Sequence, residues 1–541
     1  MRQDLEIPQG KRTLKYRFFE ILPGAISYGA IVLLFLLSLL DPVIGSIYLF
    51  IVITSTLVKA VGTAFRTVQG YEVMKKAMRV DWRKRVEDLE NPHEAYERIR
   101  DDGNKSYHFD EHVENLRFMA AMPEEFPNPK KLYHITIVTA YDEGEEILKP
   151  TIEAVKKSSF PNERIVMVLA YEERGGEMME KTAQKLYEEF KNDFYDFLLV
   201  KHPENMPNEV VGKGPNLTYA GYFVADYVKR KKLPMDNIVV TTLDSDNQVH
   251  EKYFDAVAYE FITHPNRQRL SYQPVSLFMN NIWDAPAPTR VIALSNSFFN
   301  VISTMRPHLL RNFASHSQPL QALSAMDFWS KRTIVEDGHQ YWRSLFFFGG
   351  DYAVLPIRIP IYQDAVIGET FWKTVKAQFV QVRRWYYGAS DVAYVGVRLF
   401  AKRDKRPMSA RKLLPKFWRL LDGHVTLAIL APIVAFGGWV PGLMNMSAHT
   451  MVGYNLPNIV SIVETFASVG LIVSILVSFR LLPKRPAKYK KGKSLLMLLQ
   501  WILMPITSIL YQSLAAFYAQ TRLMLGLYME KFDVTKKVVK K

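Results

Sequence analysis

Apolar residues in this chain fall into two textures. Five blocks, at 21–40, 43 to about 63, 425 to about 440, 459–479 and 494–520, are predominantly apolar, and the first and last of them carry no charge. A helix needs ~20 such residues to cross hydrocarbon, so these blocks predict membrane spans. Residues 21–40 and 43–63 read as a helical hairpin turning at Asp41-Pro42, in preference to a cleavable signal peptide. Two more spans precede the basic connection at 480–493, and the last block is broken by Pro505 and Tyr511-Gln512-Ser513. That block is either one kinked span or two half-spans that return the chain to its starting side. The return is preferred, giving six passes or four plus a re-entrant pair. Between the blocks the second texture takes over. Short apolar runs at 135–139, 165–169, 197–200 and 238–243 predict buried strands, and they alternate with amphipathic helices at 145–158, around 179–190 and at 216–229. That βαβ order implies a parallel sheet covered on both faces, with ligands bound beyond the carboxyl ends of its strands.

Charge fixes the orientation. The chain has 541 residues, 69 Lys and Arg against 54 Asp and Glu, and a formal net charge of +15. The excess is concentrated at 2–17, 398–419, 480–493 and 531–541, beside apolar blocks rather than on a basic, aromatic-interleaved sheet. This is the signature of cytoplasmic flanks, and it argues against nucleic acid as a partner. Arg2, Lys11, Arg12, Lys15 and Arg17 place the N-terminus in the cytoplasm, and two crossings return the chain there, so residues from about 64 to 420 are expected to be cytoplasmic. Arg398 to Arg419, interleaved with Leu413, Phe417 and Trp418, predict a basic amphipathic stretch at the lipid interface. Glu464 is a carboxylate near the outer end of a span, either a pathway residue or a snorkelling one. With no cysteine, any metal must be held by oxygen or histidine ligands.

The candidate chemistry lies at strand ends and helix starts. Asp244-Ser245-Asp246 follows the strand at 238–243, where two hard carboxylates suit Mg²⁺ or Mn²⁺ bridging a diphosphate. Tyr141-Asp142-Glu143 ends the first strand and Glu172-Glu173 follows the second, acids that can accept hydrogen bonds from a nucleobase or ribose. Glu143 reads equally well as a helix N-terminal acid. Gly212-Lys213-Gly214-Pro215-Asn216 opens a helix with a countercharge for an anion, or is a plain turn and cap. Glu336-Asp337 supplies a candidate general base, with Asp337 ahead of Glu336. Gln381 and Arg384 share a helix face, with Arg383 and Trp385 beside them. Arginine can neutralise a leaving diphosphate, and tryptophan can stack on a sugar. Thr535 and Lys537 in the tail can reach a diphosphate, or belong to an ordinary basic terminus.

Taken in order, Asp244-Ser245-Asp246, Val335-Glu336-Asp337, Gln381-Val382-Arg383-Arg384-Trp385 and Phe532-Asp533-Val534-Thr535-Lys536-Lys537 resemble the motif series of the membrane-integrated family-two glycosyltransferases, which include cellulose, hyaluronan and chitin synthases. The resemblance covers about 133–390, the flanking spans and the last ten residues. It implies an α/β GT-A (Rossmann-like) cytoplasmic domain inserted between N- and C-terminal transmembrane helices. It also implies Asp244 and Asp246 at the metal-nucleotide complex and Asp337 as base. Gln381, Arg384 and Trp385 would hold diphosphate and acceptor, and Thr535 and Lys537 would lie in a gating segment. The chain departs from the family in carrying Glu172-Glu173 for an Asp pair and Val335 for a threonine.

The resulting division is a tail and hairpin at 1–66, a charged helical linker at 67–132, the glycosyltransferase domain at 133–394, interface helices at 395–422, C-terminal spans at 423–528 and a basic cytoplasmic tail at 529–541. The activity expected is inverting transfer from a nucleotide sugar, a UDP-sugar first, to a growing polysaccharide that leaves through the spans of the cell's inner membrane. Single addition to a lipid or lipid phosphate is the alternative enzyme, and a pseudoenzyme or translocation partner the non-enzymatic one.

Overall fold

The protein is described here by a computed structural model covering residues 5–445 and 475–531, with 455, 458, 462, 465 and 472 between them. Glu464, most of the block at 459–479, and Thr535 and Lys537 lie outside the described residues.

The N-terminal hairpin is built as its residues dictate. Thr13 caps the helix Leu14–Leu40 by accepting from the Tyr16 N–H, and Asp41 Oδ1 accepts the Val43 N–H at 2.7 Å to start the next helix with Pro42 in its first turn. Val32, Leu33, Phe35, Leu36, Leu39 and Leu40 are exposed, a face suited to lipid. Helix Pro42–Arg79 has 38 residues, about 57 Å at 1.5 Å per residue and far longer than a bilayer's hydrocarbon core. Its apolar start, Pro42–Ser55, is followed by a half that enters the polar domain, where Tyr71 and Met74 pack with Val275, Phe278 and Trp283. No break therefore falls at residue 66. Among the described residues three helices are long and apolar enough to cross a membrane: Leu14–Leu40, Ala410–Met444 and Gly492–Leu525. The second begins inside the basic amphipathic stretch, so one continuous helix, Ala410–Phe436, carries both the interfacial residues and the start of the span.

Segment Gly492–Leu525 is not a plain helix. A 3₁₀ turn at Gln500–Leu503 and a π segment at Ser508–Ser513 flank Pro505, which cannot donate an i→i−4 bond. Both of its ends rest on the sheet domain. Gln500 accepts from Arg290 Nε at 2.5 Å and Trp501 stacks on Phe298, while past its other end Val211 N–H donates to Glu530 O at 3.1 Å.

The domain between the hairpin and the C-terminal helices is an eight-stranded mixed sheet, ordered β3-β2-β1-β4-β7-β6-β8-β5. Strands β1 (Tyr133–Ala140), β2 (Ile165–Glu172), β3 (Asp196–His202) and β4 (Ile238–Asp244) are parallel, as their alternation with helices requires. The expectation of a wholly parallel sheet is corrected beyond β4. Strand β7 (His316–Pro319) runs antiparallel to β4 and to β6 (Leu270–Phe278). β8 (Ala353–Gln363) pairs parallel with β6, and β5 (Gln248–Val249) closes the edge antiparallel to β8. Prolines hid these strands: Pro274 marks a register shift in β6, and Pro356 and Pro360 interrupt β8. Strands β1, β2 and β4 are almost wholly buried, with helices on both faces, as a parallel sheet demands.

Candidate active site

At the carboxyl edge of the parallel strands three acidic groups meet one lysine. β4 ends on Asp244, paired in register with Thr139 of β1. Helix Lys213–Lys231 starts at the same edge, and helix Glu336–Phe347 presents both its acids in its first turn. Lys213 Nζ lies 2.8 Å from Asp244 Oδ1, 3.4 Å from Asp337 Oδ1 and 3.9 Å from Glu336 Oε1. The lysine is buried, and Gly214 permits the approach. A Cβ there would meet the Ser330 carbonyl oxygen at 2.5 Å and Glu336 Cβ at 3.2 Å.

Each charge is displaced from its ordinary state by this packing. Burial pulls the Lys213 ammonium down, but Asp244, Asp337 and Glu336 outweigh it and hold its pKa above the usual lysine value. Burial and the Asp337 charge push the Glu336 carboxyl up, and its Oε2 has no hydrogen-bond partner among the described residues. Asp337 is raised by burial and by Asp244, and restrained by Lys213 and by the charge of Arg384. Glu336 therefore stays protonated to higher pH, whereas Asp337, partly open to solvent, ionises first. Of two adjacent acids, the structure makes Asp337 the one able to accept a proton near neutrality.

Asp246 is fixed rather than mobile: its Oδ2 accepts the Asp364 N–H at 3.2 Å and its carbonyl accepts from Asn280 at 3.0 Å. Among the described residues no group of three or more His, Asp or Glu is arranged to hold a metal alone. Asp244 and Asp246 nonetheless offer hard carboxylate oxygens of the kind Mg²⁺ or Mn²⁺ accepts when other oxygen ligands complete the set.

The other expected residues take varied places. Glu143 braces the edge, accepting from the Tyr141 N–H at 2.7 Å and the Ser245 hydroxyl at 2.9 Å, while Asp142 is exposed. Glu172, the last residue of β2, is bound by Arg174, whose guanidinium covers the Tyr141 ring at 4.5 Å. Asn216 is buried and donates to the Ala170 carbonyl at 3.0 Å, inside the helix–sheet interface. Arg383 donates to the Tyr518 hydroxyl at 3.3 Å. Gln381 accepts from Gln378 at 3.1 Å, and Trp385 lies against Phe278 at 6.1 Å between centroids. On helix Phe371–Tyr386, Arg384 is thus the member of the motif placed by its charge near Asp337.

Sequence reading missed three residues around this edge. His316 on β7 is buried, and burial with Lys213 beside it lowers its pKa to about 4. His339, two residues after Asp337, binds Asp391 through Nδ1 at 2.6 Å. Glu6, in the N-terminal tail, pairs with the buried Arg343 and accepts from Ser330 at 2.7 Å, tying the tail to the loop that precedes Glu336. No local signal marks a tail residue as a partner of a helix 337 positions away.

No protein family's sequence pattern matches the chain, and no curated protein matches it in sequence. Solved structures do align with it. A mannosyltransferase, PcManGT, from Pyrobaculum calidifontis in complex with GDP-Man and Mn²⁺ aligns over 79% of this chain and 99% of its own, at 12% identity and a TM-score of 0.38. TarS residues 1–349 from S. aureus in complex with UDP-GlcNAc aligns over 60% and 92%, at 13% identity and a TM-score of 0.30. GalNAc-T7 with UDP, GalNAc and Mn²⁺ aligns over 54% and 58%, at 10% identity and a TM-score of 0.31.

Proposed function

We propose that this chain is a membrane-bound GT-A glycosyltransferase of family-two type that moves a sugar, with inversion, from a nucleotide-sugar donor to a growing polysaccharide. The observation that carries the reading is the convergence of Asp244, Glu336 and Asp337 on Lys213 at the carboxyl edge of β1 and β4, with Arg384 charged beside Asp337. Open α/β sheets bind their ligands at that edge. A UDP-sugar is the first donor to test. The catalytic domain is read as cytoplasmic, on the inner side of the cell membrane.

In this reading Asp337 takes the proton of the acceptor hydroxyl. The oxygen bonds to the donor's anomeric carbon as that carbon's bond to the phosphate oxygen breaks on the opposite face, which inverts the configuration. The electron pair leaves with the nucleoside diphosphate, whose charge Lys213 and Arg384 meet. Glu336, kept neutral by burial, spares Asp337 a second negative neighbour. A divalent cation held by Asp244 and Asp246 would supply further neutralisation of the leaving diphosphate. Tyr141, Asp142, Glu143 and Glu172 are the residues read as meeting the base and ribose, and Arg174 over Tyr141 makes a flat, charged wall beside them. The motif resemblance assigns Trp385 and Gln381 to the acceptor. Glu530 and Lys531 return the chain to the loop before Lys213, and Thr535 and Lys537, which the motif resemblance assigns to a gating segment, follow them in sequence.

The test is nucleoside diphosphate release by the purified protein in nanodiscs, from a panel of UDP- and GDP-sugars with Mg²⁺ or Mn²⁺. Release from one donor that requires metal and is lost in Asp337→Asn supports the reading. Silence with every donor and with both glycan and lipid acceptors supplied rejects it.

A further inference from the structure

The segment before the first helix is bound into the domain at the loop that leads to the two acids. The Leu5 carbonyl accepts from the Tyr394 hydroxyl at 2.9 Å and from Arg343 Nη1 at 3.2 Å, and Ile7 is buried in one cluster with Tyr341, Trp342 and Leu345. Between them Glu6 divides its two carboxylate oxygens between different partners. Oε1 pairs with Arg343, buried on helix Glu336–Phe347, and Oε2 accepts from the Ser330 hydroxyl at 2.7 Å. Arg343 also donates through Nη2 to the Met326 carbonyl at 3.1 Å, and Ser330 Oγ accepts the Arg332 N–H at 3.2 Å. One carboxylate thus gathers the acid helix and the loop 326–332 that precedes it.

That loop is not held by its own preferences. Asp327 and Phe328 have φ of 64° and 55°, a left-handed conformation that side chains disfavour and that persists only where the surroundings over-determine it. Besides Arg343, helix Lys213–Lys231 supplies those surroundings, through Gly214, Thr218 and Gly221 on one helical face. The Ser330 carbonyl sits against Gly214, where a Cβ would come within 2.5 Å of it. The Thr218 hydroxyl accepts the Trp329 N–H at 3.1 Å and donates to the Trp329 carbonyl at 2.8 Å, and the Phe328 ring lies so close to Gly221 that a Cβ there would overlap it. Beyond Ser330 the Lys331 carbonyl accepts the Val210 N–H at 2.9 Å, and the chain runs on into Glu336. The loop therefore lies between the helix that starts at Lys213 and the helix that starts at Glu336. A shift in it changes the 3.4 Å and 3.9 Å approaches of the ammonium to Asp337 and Glu336.

A buried ion pair by itself is weak evidence of a role. Glu6 differs because its second oxygen goes to the loop rather than to the other arm of the guanidinium. We infer that Glu6 is a positioning residue: by bridging Arg343 and Ser330 it holds the loop 326–332 on helix Lys213–Lys231 and so fixes Lys213 against Glu336 and Asp337. The effect expected on rate rests on the transferase reading, whereas the placement itself is measured without turnover.

The experiment uses the full-length protein in nanodiscs and follows hydrogen exchange by mass spectrometry in peptides spanning 209–216 and 326–333, alongside donor turnover, calorimetric donor binding and melting. Glu6→Gln keeps the size of the side chain but offers one acceptor oxygen in place of two, and Ser330→Ala removes the loop's half of the contact. Each should speed exchange in both peptides. Each should also lower kcat about tenfold while KM and donor affinity stay within about twofold, the mark of misplaced groups rather than lost binding. The double variant should be no slower than the slower single one, because both act through one contact. Tyr394→Phe loosens the same segment at Leu5 without touching the loop, and should lower the melting temperature while leaving kcat and loop exchange as they are. Unchanged exchange in Glu6→Gln, a lower melting temperature in that variant with kcat intact, or additive losses in the double variant overturns the proposal. A parent that turns over no donor rejects the transferase reading, and exchange in the two peptides still accepts or rejects the placement.

Discussion

Lys213 and Asp244 form a 2.8 Å ion pair between the first turn of a helix and the last residue of a strand, with both ends of the pair at the carboxyl edge of the sheet. The same ammonium reaches Asp337 and Glu336, so one buried cation faces three of the acidic candidates at the edge.

Removing it should be costly in two ways. Lys213→Met leaves Asp244 and Asp337 without their cation, and breaking such a pair from one side costs about 3 kcal/mol. Melting in nanodiscs should show that loss, and donor turnover should fall by at least about a hundredfold. Full activity in Lys213→Met would mean that the lysine only fills space.

The proposed role of Asp337 as base predicts the acid side of the rate profile. Its carboxyl is pushed up to about 6, and a base works only when deprotonated, so kcat/KM should rise as pH increases through about 6 and level off above it. Asp337→Asn should lower turnover about a thousandfold while calorimetric donor binding persists. A profile flat from pH 5 to pH 8 (roughly the range in which such a base titrates) would assign the proton transfer elsewhere.

Gly214→Ala tests how closely the cation helix and the acid helix are set. The added methyl meets the Ser330 carbonyl, which is backbone and cannot swing aside. Overpacking of this kind costs about 1–3 kcal/mol, and the shift separates Lys213 from Glu336. Turnover should fall more than donor affinity does. An unchanged melting temperature would show that the loop at Ser330 gives way.

Away from the site, Glu260 provides a pH signature of the domain itself. Burial, with Glu111 adding to it, raises its pKa from 4.5 to about 7 in the fold. The folded state then binds a proton that the unfolded state releases, so its contribution is fully present below pH 4.5 and is lost as pH rises through about 7. Glu260→Gln should raise stability at pH 8 by on the order of 1–2 kcal/mol, after allowance for partial exposure, and change little at pH 4. Chemical denaturation at the two pH values decides it, and equal effects at both would reject the assignment.

By itself the sequence determined the parts whose signals are local. The charge-free block at 21–40 and the turn at Asp41-Pro42 are legible because a bilayer demands a long apolar run and a helix start demands a cap. Strands β1, β2 and β4 are legible because burial on both faces leaves unbroken apolar, β-branched runs such as Ile238-Val239-Val240. Asp244-Ser245-Asp246, Glu336-Asp337 and Gln381 to Trp385 stand out as patterns on the same grounds. Tertiary structure alone decided the rest, because the rest is set by distance between residues far apart in the chain. The proline-bearing strands β6 and β8 owe their existence to pairing with each other rather than to their own propensity. The proton affinities of Glu336 and Asp337 follow from burial and from Lys213 more than 120 residues away. Within one motif, Arg384 is placed near the acids and Arg383 against Tyr518, a difference of one helical step that only the packed fold assigns.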